Sequence, residues 1–282
     1  MVGFVGTCNC FSSRGRFLLY FYYGNGFIRF IVWADIKMKI FGVLQYNGQA
    51  YWGFEKQKDY PSIQGKIEEI LSSLLDHKIV IHGAGRTDKG VSARGQTFTF
   101  FSAKEIQDIE RLRVALNRLL PKDIYVLSLK EVDSSFDARH SSCGKIYSYS
   151  FHFGERDVLS LFEYQLELPH FSFSSFEACM NLYLGVHDFK NFTSKPMDVD
   201  YFIRDIRRID ISEKRGHVCV LLEANGFMTH QIRIMIAVAF RVGLGKMSLN
   251  EVMALLESKE RRIISYQADP VGLVLEEVQY GK

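Results

Sequence analysis

The residues of this chain best suited to chemistry crowd into one segment, Gly83-Ala84-Gly85-Arg86-Thr87-Asp88-Lys89-Gly90-Val91-Ser92-Ala93. Two cations, a hydroxyl and a carboxylate follow one another from Arg86 to Lys89, between glycines that let the backbone turn sharply or approach a ligand closely. With a ligand able to approach the backbone so closely, the carboxylate is the segment's candidate reactive group. The segment lacks the Gly-Lys-Ser/Thr ending and the spacing of a P-loop, which argues against a nucleotide phosphate cradle. Taken alone, Asp88 fits an Asx turn ahead of Gly90 better than it fits a reactive group.

Other reactive side chains are scattered. His82, His187 and His230 fall in different segments without i, i+4 ligand spacing, so structural roles suit them better than a metal site. The five cysteines are odd in number, and only Cys8 and Cys10 are close, with no second Cys/His pair at zinc spacing. Incidental or buried thiols in a reducing cytosol are therefore expected, and no metal. The formal charge of +3 resides entirely in the first 37 residues, and residues 38–282 are balanced. Net charge thus gives no argument for a nucleic-acid partner; local patterning must.

Residues 1–37 contain an aromatic-rich apolar run from Phe17 to Ala34 behind Arg14 and Arg16. Gly24-Asn25-Gly26 breaks that run and Arg29 interrupts it, so no stretch of ~20 apolar residues is available to span a bilayer. Met38 then opens MKIFGVLQYNG, a strand and turn of the kind that begins a domain. Residues 1–37 are read as an upstream extension outside the fold.

Stepping along the chain from Met38, Lys39–Tyr46 reads as a strand, and Ser62 caps a helix carrying Ile63, Ile67, Ile70, Leu71 and Leu74. Short strands follow at Lys78–Ile81 and Gln96–Phe101, then an amphipathic helix over Glu105–Leu120 stopped by Pro121, and a strand at Ile124–Leu129. The second half gives a strand at Ile146–Phe153 and a helix over Ser175–Leu184, with Ser174 and Glu177 as a capping box. A hairpin joins Asp205–Ser212 to His217–Glu223, helices cover Thr229–Val242 and Asn250–Glu257, and Leu273–Val278 closes the chain. Each half is β-α-β-β-α-β, the split βαβ order of a ferredoxin-like unit. The expected fold is α+β: two ferredoxin-like halves, 38–140 and 141–282, whose mainly antiparallel sheets join, with helices on one side and a cleft between the halves.

Over nearly all of Met38 to Lys282 a series of motifs, in order, resembles the TruA-type tRNA pseudouridine synthases. They are YNGQAYWGFEKQ from Tyr46, SIQGKIEEIL from Ser62, GAGRTDKGVSARGQ from Gly83, ALNRLLPKDIYV from Ala115, FDAR from Phe136 and KIYSY from Lys145. GVHDFKNFTS from Gly185, ANGFMTHQIR from Ala224 and DPVGLVLEEVQY near the end complete the set. The resemblance implies an isomerase that turns uridine into pseudouridine at positions 38, 39 and 40 of the tRNA anticodon stem-loop. It implies a homodimer in the cytoplasm, with no metal, no organic cofactor and no membrane. Asp88 would be the carboxylate that acts on the glycosidic bond, Arg233 its basic partner, and Tyr147 the ring that stacks on the target base. Arg86 would fill the gap left by the extruded nucleotide, while Arg139 and Lys89 would contact the RNA.

Three positions depart from the family pattern. Gly-Trp-Gln is Gly53-Phe54-Glu55 here, the histidine of Phe-His-Ala-Arg is Asp137, and His-His-Met-Val-Arg-Asn is replaced around Thr229 to Ile234. Two other classes of function therefore stay open: a non-catalytic tRNA-binding or folding protein on the same scaffold, and an enzyme that uses the glycine-rich loop for nucleotide phosphates. Deleting residues 1–37 is predicted to leave folding and activity intact, checked by circular dichroism and a turnover assay; loss of folding would refute the assignment of that extension.

Overall fold

The computed structural model describes residues 38–155, 157–166, 170–195 and 202–281, together with the backbone of three short strands nearer the start. Those strands, β1 (Cys10–Phe11), β2 (Phe17–Tyr23) and β3 (Gly26–Val32), form a sheet of their own. The rest of the extension assigned to residues 1–37 lies outside the described residues.

The first half runs β4 (Met38–Tyr46), α1 (Ile63–Leu75), β5 (Ile81–Gly83), β6 (Ser92–Ser102), α2 (Ile109–Leu119) and β7 (Ile124–Val132). The second runs β8 (Ser142–Phe153), β9 (Tyr164–Leu166), α3 (Phe173–Asn181), β10 (Gly185–Asp188), β11 (Ile203–Lys214), β12 (His217–Ala224), α4 (Gln231–Gly243), α5 (Leu249–Glu257) and β13 (Leu273–Tyr280). All ten strands from β4 onward belong to one α+β sheet, ordered β10-β11-β12-β8-β13-β6-β4-β7, with β5 beside β6 and β9 beside β8. The pairings β5-β6-β4-β7 and β11-β12-β8-β13 have the same connectivity, as expected for two split βαβ units. The halves meet where β13 runs parallel to the start of β6, Val274 opposite Ser92 and Leu275 opposite Ala93. That seam begins immediately after the segment holding Asp88.

Several local expectations are corrected. β4 is buried along most of its length because it lies between β6 and β7, so residues on both of its faces, Lys39 included, are covered. α2 starts at Ile109, where the Asp108 side chain accepts from Arg111 N, and not at Glu105. α3 is capped by Ser172, whose hydroxyl accepts from Ser175 N; Ser174 is already inside it. The capping box belongs instead to α5, between Ser248 and Glu251. β9 and β10 are additional strands, too short for periodicity to reveal.

The second half is held together by aromatic side chains. Phe151 of β8 lies edge-on to Phe240 of α4 and Phe176 of α3, with ring centroids 4.9 and 5.1 Å apart, and to Phe171 at 5.9 Å. Tyr149, on the same face two residues back, is equally buried and donates to Asp269 O at 3.0 Å, fixing the approach to β13. Phe151→Ala is predicted to destabilise the fold by about 3–5 kcal/mol, read as a lowered urea midpoint.

Candidate active site

The segment between β5 and β6 is pinned from beneath by the loop after β4. Gly90 N donates to Tyr51 O at 3.2 Å, Phe54 N donates to Thr87 O at 3.2 Å, and the Thr87 hydroxyl pairs with Tyr46 Oη at 2.8 Å. Two glycines make this approach possible. A Cβ on Gly48 would lie 2.0 Å from Val91 O, and Gly53, at φ +100°, would place one 2.6 Å from Thr87 O.

These contacts exclude the Asx-turn reading of Asp88. The Gly90 amide is taken by Tyr51, and the local turn is closed by the Asp88 backbone oxygen, which accepts from Val91 N at 3.1 Å. The carboxylate is left to face the other half of the molecule. Its Oδ2 lies 3.4 Å from Arg233 Nη1 and its Oδ1 lies 3.4 Å from His230 Nε2. The Asp88 side chain is 25 % exposed and that of Arg233 14 %, so the pair is shielded on most sides yet reachable.

Arg233 is held rigidly by its own surroundings. It sits in the first turn of α4, which is otherwise almost wholly buried, so its side chain leaves at the one end that opens to the seam. Arg233 Nε donates to Ala268 O at 2.8 Å, and Ala268 N returns a bond to Arg233 O at 2.9 Å. One edge of the guanidinium is thereby committed to the backbone, and the other is presented to Asp88. The positive end of the α4 dipole lies on the same side.

His230 caps α4 in the left-handed region at φ 62°. Its Nδ1 accepts from Gln267 Nε2 at 3.0 Å and lies 2.7 Å from Ser194 Oγ, which leaves Nε2 as the ring N–H turned to Asp88. Burial lowers the imidazole below the ordinary histidine value; the Asp88 charge opposes this, and Arg233 and Lys195 reinforce it. At neutral pH the ring is therefore uncharged, and the cation beside Asp88 is Arg233. Sequence reasoning gave His230 a structural role. Its spacing three residues ahead of Arg233 was the signal that both could reach one partner. Ser194 and Gln267 carried no comparable signal.

Tyr147 of β8 is buried, edge-on to Phe227 with centroids 5.4 Å apart. Burial pushes its phenol well above the usual range, with Tyr46 and the Asp88 charge adding to the effect, so the hydroxyl stays protonated. The remaining expected residues are placed on the rim. Arg86 forms an ion pair with Glu55 at 2.6 Å, and Lys89 holds its ammonium 3.4 Å from the centre of the Trp52 ring. Glu55 and Asp137, two of the departures noted in the sequence, both have local partners. The Asp137 carboxylate accepts from Arg139 N at 2.9 Å and His140 N at 2.8 Å, and these bonds hold it below the ordinary value despite partial burial. Arg139 itself is exposed.

A half-buried carboxylate facing a fixed guanidinium, with an aromatic ring alongside, at the seam of two ferredoxin-like units, is the arrangement expected of an RNA-modifying isomerase. The family described as "tRNA pseudouridine synthase" matches residues 43–141 and 179–281, and the chain belongs to that family. It is similar to tRNA pseudouridine synthase A of Clostridium kluyveri, 33% identical over 244 residues that cover 84% of this chain and 98% of the relative. The enzyme of the same name from Acetivibrio thermocellus is 32% identical over 239 residues, covering 84% and 98% respectively. That of Streptococcus thermophilus is 34% identical over 242, covering 84% and 97%. No helix among the described residues is long and apolar enough to cross a membrane.

Arg233→Lys keeps the charge but cannot grip Ala268 O and Asp88 together. It is predicted to lower kcat by about 10²-fold with little change in KM, measured as tritium release from C5-labelled uridine in tRNA.

Proposed function

We propose that this protein isomerises uridine to pseudouridine at positions 38, 39 and 40 of the tRNA anticodon stem-loop, with Asp88 as nucleophile. The observation that carries this reading is the Asp88 carboxylate, free of its own loop's amides and facing Arg233 at 3.4 Å across the seam. The subdomain over 38–140 supplies Asp88 and Arg86, and that over 141–282 supplies Arg233 and Tyr147.

The target uridine swings out of its stack and its base lies against Tyr147, an interaction worth about 1–3 kcal/mol per base. Arg86 leaves Glu55 to occupy the gap, and Lys89 and Arg139 meet the backbone. Ionised beside Arg233, Asp88 attacks C1′ as the C1′–N1 bond breaks, or assists loss of the C2′ proton to give a glycal; both routes need one carboxylate beside an electron-poor sugar carbon. The uracil turns so that C5 bonds to C1′ as the Asp88–C1′ bond breaks, or, on the glycal route, as the proton taken from C2′ is returned; the C5 proton then leaves while N1 gains one. Substrate and product are isomers, so no water is consumed, and neither metal nor organic cofactor is required.

The protein works in the cytoplasm as a homodimer in this reading. Two subunits would combine their local cationic clusters on one tRNA, which the balanced net charge of residues 38–282 does not by itself supply. Asp88→Asn is predicted to keep tRNA affinity within about threefold and to abolish pseudouridine, mapped at each anticodon-arm uridine. Absence of product with Asp88 intact would favour the non-catalytic tRNA binder.

A further inference from the structure

Lys145 lies in the interior of β8, paired with Ala224 of β12 and Val278 of β13, and its ammonium reaches across to the Asp88 segment. Its Nζ donates to Ala84 O at 3.0 Å, and a Cβ on Gly85 would fall 2.5 Å from it. That single bond leaves two of its three donors without a partner among the described residues. Burial drives the ammonium down to about 8, and the charges of Arg139 and Arg204 push in the same direction. Arg204 is itself lowered by burial, and among the described residues its guanidinium donates to Ile203 O alone, at 2.6 Å.

The acids of the flanking strands do not compensate. Glu223 of β12 accepts from Gln279 at 3.2 Å, Glu276 of β13 takes Arg94 and Ser148 at 2.5 Å each, and Asp205 of β11 faces Arg207 at 3.5 Å. Glu277 of β13 is exposed. Among the described residues, Arg139, Lys145 and Arg204 form no ion pair, so the two arginines act on Lys145 without a carboxylate bonded to any of the three. Charges so arranged are unfavourable unless a ligand neutralises them.

Their position defines the ligand. Lys145 and Tyr147 point to the same face of β8, two residues or about 6.6 Å apart, and Ala84 is four residues ahead of Asp88. We propose that Lys145, with Arg139 and Arg204, forms a binding site for the RNA phosphodiester adjacent to the uridine held at Asp88. The proposal rests on the tRNA reading given above. Seating a phosphate here restores the full charge of Lys145, so binding takes up a proton whenever the free amine is partly neutral. As a tie for the Ala84 carbonyl alone, Lys145 would show no such uptake.

The test is calorimetric titration of an unmodified tRNA transcript into the intact protein, in buffers of different ionisation enthalpy. At pH 8 about half a proton per RNA bound is expected, falling towards zero at pH 6.5, where the free amine is already charged. Lys145→Met should abolish that uptake and reduce the slope of log affinity against log salt by about 0.7–0.9 at pH 7. Lys145→Arg should restore the slope without uptake, because a guanidinium does not titrate there. Binding by the unaltered protein without linked protonation at pH 8 would overturn the proposal, as would uptake unchanged in Lys145→Met. If Lys145→Met does not fold, the unaltered protein and Lys145→Arg decide the matter. Failure of the unaltered protein to bind tRNA or convert uridine overturns the tRNA reading itself, and this site with it; conversion without proton uptake removes only the site.

Discussion

An ion pair across a sheet seam organises this molecule. Asp88 comes from the loop that leads into β6, Arg233 comes from the start of α4, and the two meet where β6 and β13 join the halves in parallel. Neither half could build the site alone. The same guanidinium grips Ala268 O at 2.8 Å, in the segment that feeds β13, so the side chain that reaches across to the carboxylate is fixed within its own half. The fixed guanidinium orients the half-buried carboxylate through one oxygen and leaves the other to His230.

Much of the surrounding structure serves to keep the carboxylate free. Its neighbours' amides are assigned to Tyr51 and to backbone oxygen, the loop beneath closes to van der Waals limits through Gly48 and Gly53, and His230 is held neutral so that it does not compete as a second cation. The rim behaves differently. Arg86 and Lys89 rest on Glu55 and Trp52 in exposed contacts that water and salt screen, so those partners can be exchanged at small cost, as the proposed RNA contacts require. A rigid surrounding for Asp88 and a loose rim suit the proposed reaction, in which the substrate base would be pulled out of a stack.

The sequence made the scaffold legible because both halves carry long amphipathic helices and clear strands in the same order. The seam was not legible, since the parallel pairing of Val274 with Ser92 joins residues far apart in the chain and leaves no periodic trace. Asp88 shows the limit most clearly: its local pattern favours an Asx turn, and only the amide assignments of the folded chain exclude one. Arg233 could be suspected from the apolar residues around it, whereas the role of Gln267 in fixing the His230 ring depends wholly on tertiary contact. Helix ends at Ser172 and Asp108 were displaced from their expected sites because several polar residues compete to cap within a few positions.

The most direct measurement is a structure of the Asp88→Asn protein bound to tRNA with its target uridine intact. The expected result is an extruded uracil stacked on Tyr147, with C1′ about 3–3.5 Å from the carboxamide at position 88 and Arg233 still bonded to Ala268 O. A uridine that remains stacked in the RNA, or a sugar well beyond contact with position 88 while Arg233 turns elsewhere, would contradict it.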